Sequence, residues 1–500
     1  MPHQLIIGLD IGTTGCKAVA TDPSGRVVAS GGGGAAGGHY PLHTPRPGWV
    51  EQHIDEIWSA VQQSLRDVTG QLAAADIAGL CLSGAMHSMM DVDHDGSPRS
   101  PVIIWADQRA QDTAALLRQR PDAADLYRRT GCPIQPTYHL PRLRRWMDTN
   151  ATFASGDSLI VAVKDWVTHR LTGQWATDWS LASSTGLFNL ASLTWDEQAL
   201  AAAGITASRL PPLVDPRATV GTVTADAAVQ TGLPHGLRVI AGASDGGLAN
   251  LGSGAVLPGD TVVTAGTSGA IRVITDAPKL DDHQRTWCYV LTGARYFAGG
   301  AINNAGLALR WVRDTFYSDL TDGDVFRGFD RLFADAAAIA PGADGLLALP
   351  YLTGDRSPHW ISEPAAALHG LTLHHTRAHV ARAMIEGVAF CLADVWQALD
   401  ECDAMGQRRE PVRLTGGVAR APLWRQIIID VLGVPMAPSE AADASALGAA
   451  MLGHWAMGHV DSLETIAGRV SDTTTVVQPD AEAHAIYRKL HERYVRAARR

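Results

Sequence analysis

Leu5-Ile6-Ile7-Gly8-Leu9-Asp10-Ile11-Gly12-Thr13-Thr14-Gly15 and Thr261-Val262-Val263-Thr264-Ala265-Gly266-Thr267-Ser268-Gly269 follow one pattern, about half a chain apart. Each is an apolar β-rich run that ends in Gly-Thr-Thr-Gly or Gly-Thr-Ser-Gly, and each leads into a second β-rich run, Cys16–Val19 or Ala270–Ile274. Runs of this kind bounded by small turn-forming residues read as strands, so the same strand–turn–strand hairpin is expected twice. Two domains of similar core fold, each offering a polar hairpin to a shared cleft, explain the repetition, with the boundary near residue 245. The alternative is chance recurrence of a tetrapeptide in a chain that holds 50 glycines.

The rest of the chain extends this reading. Gln4–Leu9, Cys16–Asp22, Ile77–Ser83, Arg238–Ala241, Thr261–Ala265 and Val412–Thr415 read as strands. Ile54, Ile57, Trp58, Val61, Leu65 and Val68 recur at helical spacing. Mixed signals of both kinds indicate an α/β protein. The glycine block Gly31–Gly38 reads as a flexible surface turn between strands.

Composition narrows the class of function. With 500 residues, 46% hydrophobic and 18% charged, the chain is large enough for two domains and too apolar for disorder. Its 41 basic against 51 acidic residues give a net charge of −10, which argues against a partner held by nucleic-acid phosphates. No apolar run reaches the ~18 residues of a membrane span. The start of the chain lacks a basic n-region, so its apolar run reads as a strand and not a leader. Cys16, Cys81, Cys132, Cys288, Cys391 and Cys402 form no CxxC pair. That fits reduced thiols in the cytoplasm better than a disulfide frame or zinc site.

Several segments carry chemistry-bearing residues. The backbone N–H groups and hydroxyls of Gly12, Thr13 and Thr14 suit phosphate oxygens, and Lys17 lies close enough to reach the same anion. Asp10 would repel phosphate unless a cation intervenes, which suggests Mg2+ held through water; a plain hairpin with an Asp-capped turn is the alternative. No Walker-type loop and no strand-linked GxGxxG occurs. Leu414-Thr415-Gly416-Gly417-Val418-Ala419 places a glycine turn between a strand and a helix, suited to a flat ligand or simply to tight packing. Asp245, among small residues at a strand end, is a candidate general base, or else caps a helix at Gly247–Leu251. Met86-His87-Ser88 and Trp105-Ala106-Asp107-Gln108-Arg109 follow strands, where α/β sheets place their ligand crevice; the alternatives are a core His, an N-cap Asp and a surface Arg. His374, His375 and His379 have no carboxylate or Cys set nearby in sequence and read as solvated surface.

Together these segments resemble the FGGY carbohydrate kinases, and more narrowly the gluconokinases of that family, over about residues 4–455. LDIGTTGCKAV is similar to the first phosphate hairpin, TAGTSGAI to the second, and LTGGVARAPLWRQIIIDVLG to the adenosine segment. PGWVEQHIDEIW and GASDGGLANLGSG also resemble family segments, the latter putting the catalytic Asp on Asp245. The most specific likeness is AALHGLTLHHTRAHVARAMIE, residues 366–386, to the second family signature. HLPRLRRW resembles the first signature less cleanly, with Arg142 where a Lys is usual, and no role follows for it. Met86-His87-Ser88, Ile104-Trp105-Ala106-Asp107 and Gly354-Asp355-Arg356-Ser357-Pro358-His359-Trp360 resemble gluconokinase segments, with Asp355 in place of the usual Glu.

The resemblance implies two ribonuclease-H-like domains of the actin–hexokinase type, residues 1–245 and 246–500, with ATP and sugar in the cleft between them. The first would bind sugar and carry one phosphate hairpin; the second would bind nucleotide and carry the other. It implies Mg2+- and ATP-dependent phosphorylation of D-gluconate to 6-phospho-D-gluconate, with xylulose or another pentulose or polyol as the alternative acceptor. A non-catalytic actin-like ATP-binding module is the rival from another class. Asp245 would be the base. Gly12, Thr13, Thr14, Lys17, Gly266, Thr267 and Ser268 would hold phosphates, with Asp10 placing Mg2+ through water. Gly306, Gly417 and Ala421 would approach the nucleotide, Ala421 standing where related glycerol kinases carry Asn. Met86, His87, Ser88, Trp105, Asp107 and Arg109 would line the sugar site, with Arg109 and then His87 as partners for the substrate carboxylate. A small sugar or sugar acid is the expected partner, with no nucleic acid or membrane, and a homodimer is left open.

Overall fold

The computed structural model describes residues 4–32, 38–320, 325–439, 443–470 and 475–498. Of the expected turn Gly31–Gly38, residues 33–37 lie outside the described residues. In the first half, β1 (Leu5–Ile11), β2 (Cys16–Thr21) and β3 (Val27–Gly32) form an antiparallel meander. β4 (Ile77–Gly84) runs parallel to β1, β6 (Arg238–Ser244) runs parallel to β4, and β5 (Thr219–Thr222) closes that edge. In the second half, β7 (Thr261–Ala265), β8 (Gly269–Thr275) and β10 (Arg295–Ile302) repeat the meander, with β9 (Trp287–Thr292) outside β10. β11 (Val412–Thr415) and β12 (Met436–Pro438) lie parallel on the other side of β7.

The sheet orders are β5-β6-β4-β1-β2-β3 and β9-β10-β8-β7-β11-β12. Both therefore contain a three-strand meander whose first strand is followed, on its other side, by two successive parallel strands, the ribonuclease-H-like arrangement. The repeated tetrapeptide is the turn between the first two strands of each sheet. In one, the Gly12 N–H donates to the Gly15 carbonyl at 3.0 Å; in the other, the Gly266 N–H donates to the Ser268 carbonyl at 2.9 Å. β1 and β4 are buried along nearly their whole length, as expected for central strands covered on both faces.

Helices cover the sheets. α1 (Ile54–Thr69) buries the stripe of Ile54, Ile57, Trp58, Val61, Leu65 and Val68. α2 (Asp245–Gly252) leaves β6 directly, capped by the Ser244 hydroxyl, which accepts from the Gly247 N–H. α3 (Gly306–Phe316), α4 (Arg377–Glu401) and α5 (Pro422–Leu432) pack in the second half. α6 (Ala444–Ala456) comes late in the chain, yet it lies against β1, β4 and α2. Its approach is backbone to backbone: a Cβ on Gly8 would sit 2.0 Å from the Ala446 carbonyl oxygen, and one on Gly448 would sit 2.0 Å from that of Leu248. Among the described residues no helix is long and apolar enough to cross a membrane.

The segment most like the family signature is structural. At the start of α4 the Thr376 N–H donates to His379 Nδ1 at 3.1 Å. Two turns further in, buried Glu386 pairs with Arg382 at 2.6 Å and accepts from the Gly342 N–H and the Tyr487 hydroxyl. These bonds fix a long helix in the second core.

Candidate active site

β1 and β4 end polar, and both β1 and β6 run further than the sequence suggested, because their tips keep pairing with β4. The register sets Asp10 beside Ser83, while Ile11 and Ser244 both lie beside Gly84. Asp245, the residue after Ser244, therefore lies just beyond the tip of β4, two positions further along than Asp10. The Ser83 hydroxyl donates to Asp10 Oδ1 at 2.6 Å, and the Gly246 N–H donates to Asp245 Oδ1 at 2.7 Å. Lost hydration, then the charge of Asp245, pushes the Asp10 carboxyl up to about 7. Burial also raises Asp245, against the nearby Arg272 guanidinium and backbone N–H groups that favour its ionised form. The oxygens of Asp10, whose carboxyl is raised by burial and by the charge of Asp245, are hard donors of the kind that suit Mg2+. The helix-capping alternative for Asp245 is displaced, since Ser244 caps and the helix begins at Asp245 itself.

The first hairpin is buttressed by Gln52 and Trp105. The Trp105 indole N–H donates to Thr13 Oγ1 at 3.2 Å, and Gln52 donates to the Thr13 carbonyl at 2.6 Å. Thr14 is exposed at the turn, and its carbonyl accepts from the Tyr40 N–H. Lys17 forms an ion pair with Asp443, just before α6, so its ammonium links the two halves. In the second half the Gly306 N–H donates to the Gly266 carbonyl at 2.8 Å. Gly417 and Ala421 follow β11 on the same side of the sheet, the first in a short turn and the second capping α5. Thr267 and Ser268 line a cavity of ≈ 370 Å3 with Trp105 from the first half and Asn303, Asp355 and Arg356 from the second.

Of the expected sugar-site residues, Met86 and Trp105 face this region. A Cβ on Gly246 would fall 2.8 Å from Met86 Cε and 3.1 Å from Arg272 Nε, so both side chains crowd the start of α2 beside Asp245. Ser88 is buried and accepts from the Val163 N–H at 3.2 Å. Asp107 and Arg109 require correction. Asp107 is fully buried and accepts from the Val50 N–H at 2.7 Å. Arg109 commits its fork to Asp107 and to Glu51 at 2.7 Å, and stacks 3.8 Å over Trp49. Its Nε and Nη2 are taken by these carboxylates and its side chain is 6% exposed, so it is a buried, ion-paired residue and not the surface Arg of the alternative. His87 cannot act as a cation either. Its Nδ1 donates to the Ser184 carbonyl at 2.8 Å, and burial, reinforced by the charge of Arg142, pushes it down to about 3.

Three arginines carry what the sequence reading lacked. Arg142 is 1% exposed and donates to the carbonyls of Pro136 at 2.9 Å, His87 at 2.6 Å and Ile104 at 2.6 Å. It thus ties together the loops that present Met86 and Trp105. Its place in the weaker signature was the available signal. Arg272 points from β8 at Asp245, and Arg356 lies 4.8 Å over the Trp105 ring, bridging the halves. Nothing in the local sequence distinguishes Arg272 from a surface arginine, whereas Arg356 stands in the gluconokinase-like segment of residues 354–360, a resemblance that by itself gives it no role.

The histidine cluster also differs from expectation. Asp344 brings a carboxylate within 3.1 Å of His379 Nε2 and 3.3 Å of His374 Nε2. His375 and His379 nevertheless accept backbone N–H bonds on Nδ1, from Thr372 and Thr376. Their neutral rings then carry the proton on Nε2, where it meets Asp344, and leave no lone pair there for a metal. His379, moreover, is buried and not solvated.

Comparison with known proteins agrees with this geometry. The N-terminal domain of the FGGY family of carbohydrate kinases matches residues 5–252, and its C-terminal domain matches residues 261–457. A gluconokinase of Bacillus subtilis is 37% identical over 94% of this chain and 90% of its own length. Two crystal structures from Lactobacillus acidophilus, of a gluconate kinase and of a ligand-bound xylulose kinase, each superpose with a TM-score of 0.89 at 31% identity, covering 99% of this chain and 97% of theirs. Two ribonuclease-H-like halves, each with its glycine hairpin, thus coincide with matches over nearly the whole chain: the protein belongs to the FGGY family of carbohydrate kinases, enzymes that use ATP to phosphorylate an alcohol group of a sugar.

Proposed function

We propose that the protein phosphorylates D-gluconate on its 6-hydroxyl at the expense of ATP, with residues 1–245 and 246–500 as the two working units. The observation that carries the catalytic part is the Asp10–Asp245 pair between the two glycine hairpins. Asp245 accepts the proton of the attacking hydroxyl. Burial raises its basicity, while the charge of Arg272 works in the opposite direction and favours its ionised form. Gly12, Thr13, Thr14 and Lys17 on one side, and Gly266, Thr267 and Ser268 on the other, hold phosphate oxygens by backbone N–H, hydroxyl and ammonium donors. Gly306, Gly417 and Ala421 border the nucleotide. Mg2+ fits beside Asp10, through water, where it would neutralise phosphate charge; the raised carboxyl of Asp10 is the feature that supports it.

Gluconate is favoured by the likeness to the Bacillus subtilis gluconokinase. Xylulose is the second reading, because the xylulose kinase structure is equally similar. The six cysteines without disulfides support a cytoplasmic setting. A coupled ADP-release assay over gluconate, xylulose, ribulose and glycerol tests the proposal. Gluconate should give the highest kcat/KM. Preferred turnover of xylulose would move the assignment to the second reading, and sugar-independent turnover would remove the kinase mechanism.

A further inference from the structure

A sugar acid differs from a ketose or polyol by one fixed negative charge at the end remote from the reacting hydroxyl. Taking that charge into a cleft without a counter-charge is unfavourable. Arg109 and His87 do not supply it, for the reasons given above. In the cavity of ≈ 370 Å3, Arg356 is the cation available. Its one hydrogen bond among the described residues runs from Nη2 to the Ile302 carbonyl at 3.2 Å, and its Nε is buried without a partner. The guanidinium plane is supported by Trp105 from the opposite half. Two further polar atoms of the same cavity, Asn303 Oδ1 and Asp355 Oδ2, are also buried without partners. Buried polar atoms are seldom left unpaired, and three on residues that line one cavity mark a place where a ligand completes the bonding.

From this arrangement we infer that Arg356 is the specificity-determining residue that grips the substrate carboxylate, with Asn303 and Asp355 accepting from its neighbouring hydroxyls. A guanidinium meets a carboxylate through parallel N–H bonds, a geometry that no neutral oxygen of a polyol reproduces. Burial pushes the Asp355 carboxyl up to about 7, so a substantial share of it is protonated at neutral pH and its repulsion of the anion is reduced. The inference rests on the gluconate reading and deepens it.

The test compares gluconate with gluconamide, which has the same hydroxyls and no charge. In the parent enzyme kcat/KM should favour gluconate. In Arg356→Gln that preference should collapse by about 10- to 100-fold, the range of charge-assisted hydrogen bonds, mainly through KM. Arg356→Lys, which keeps charge but loses the fork, should fall between. Equal loss for acid and amide in Arg356→Gln would overturn the inference while leaving the gluconate assignment intact. If Arg356→Gln does not fold, Arg356→Lys decides, and an unchanged preference in it overturns the inference. A parent enzyme that prefers xylulose would instead refute the gluconate reading itself, so the two failures are distinct.

Discussion

Replacing Asp10 by Asn separates the stability of the empty cleft from its chemistry. Burial, and then the charge of Asp245, raises this carboxyl from 3.8 to about 7. A folded-state value above the unfolded one means that the protonated form favours folding. That contribution is complete below pH 3.8 and is lost as pH rises through 7. The neutral amide keeps it at every pH and can still accept the Ser83 hydroxyl bond. Each pH unit between the two values is worth about 1.4 kcal/mol. The variant should therefore gain little at pH 4, about 1.6 kcal/mol at pH 5, and level off at about 4 kcal/mol above pH 7. For a cooperative unit of roughly 250 residues, about 2 °C per kcal/mol predicts Tm increases of about 3 °C at pH 5 and about 8 °C at pH 8. Thermal denaturation followed by circular dichroism, without Mg2+ or nucleotide, reads this directly. Turnover should fall in the same variant, and MgATP should shrink its stability advantage, because a cation beside the parent carboxylate favours the ionised form. A variant less stable than the parent at pH 8, or a gain identical at pH 5 and pH 8, would refute the reasoning.

Other outcomes follow from the same geometry. Asp245→Asn should lower kcat by ~10²–10⁴ while calorimetry still detects ATP binding; near-normal turnover would remove its role as base. Arg142→Met leaves the carbonyls of Pro136, His87 and Ile104 without their donor. It should raise the KM for sugar by about 10-fold or more and lower Tm, with nucleotide affinity retained, since leaving a buried acceptor unpaired costs roughly 1–3 kcal/mol. His379→Ala should lose about 1 kcal/mol of stability with the helix cap and leave kcat and KM unchanged, as steady-state kinetics beside a denaturant titration will show.

The duplicated hairpin, the strands around it and the α/β class were legible because their signals are local. A β-rich run ending in Gly-Thr-Thr-Gly or Gly-Thr-Ser-Gly needs only its own residues to turn. Asp10 and Asp245 could be singled out for the same reason, since each stands at the end of such a run. Their mutual perturbation could not, because it depends on Ile11 and Ser244 sharing a level beside Gly84, a matter of register between strands more than 150 positions apart in the chain. The most distinctive stretch of sequence, residues 366–386, turned out to cap and anchor a helix, since a long buried helix constrains residue types as strongly as a ligand does. The charged residues were the least readable. Arg109, Arg142, Arg272 and Arg356 look alike as letters, and what separates them is the set of acceptors that the fold brings within reach. Arg109 meets two carboxylates, Arg142 three carbonyls, and Arg272 the carboxylate of Asp245. Arg356 keeps a buried nitrogen unpaired. The sequence thus determined the two hairpins and the carboxylates that follow from them, while the fates of the arginines were decided only by tertiary structure, because a guanidinium takes its role from partners distant in the chain.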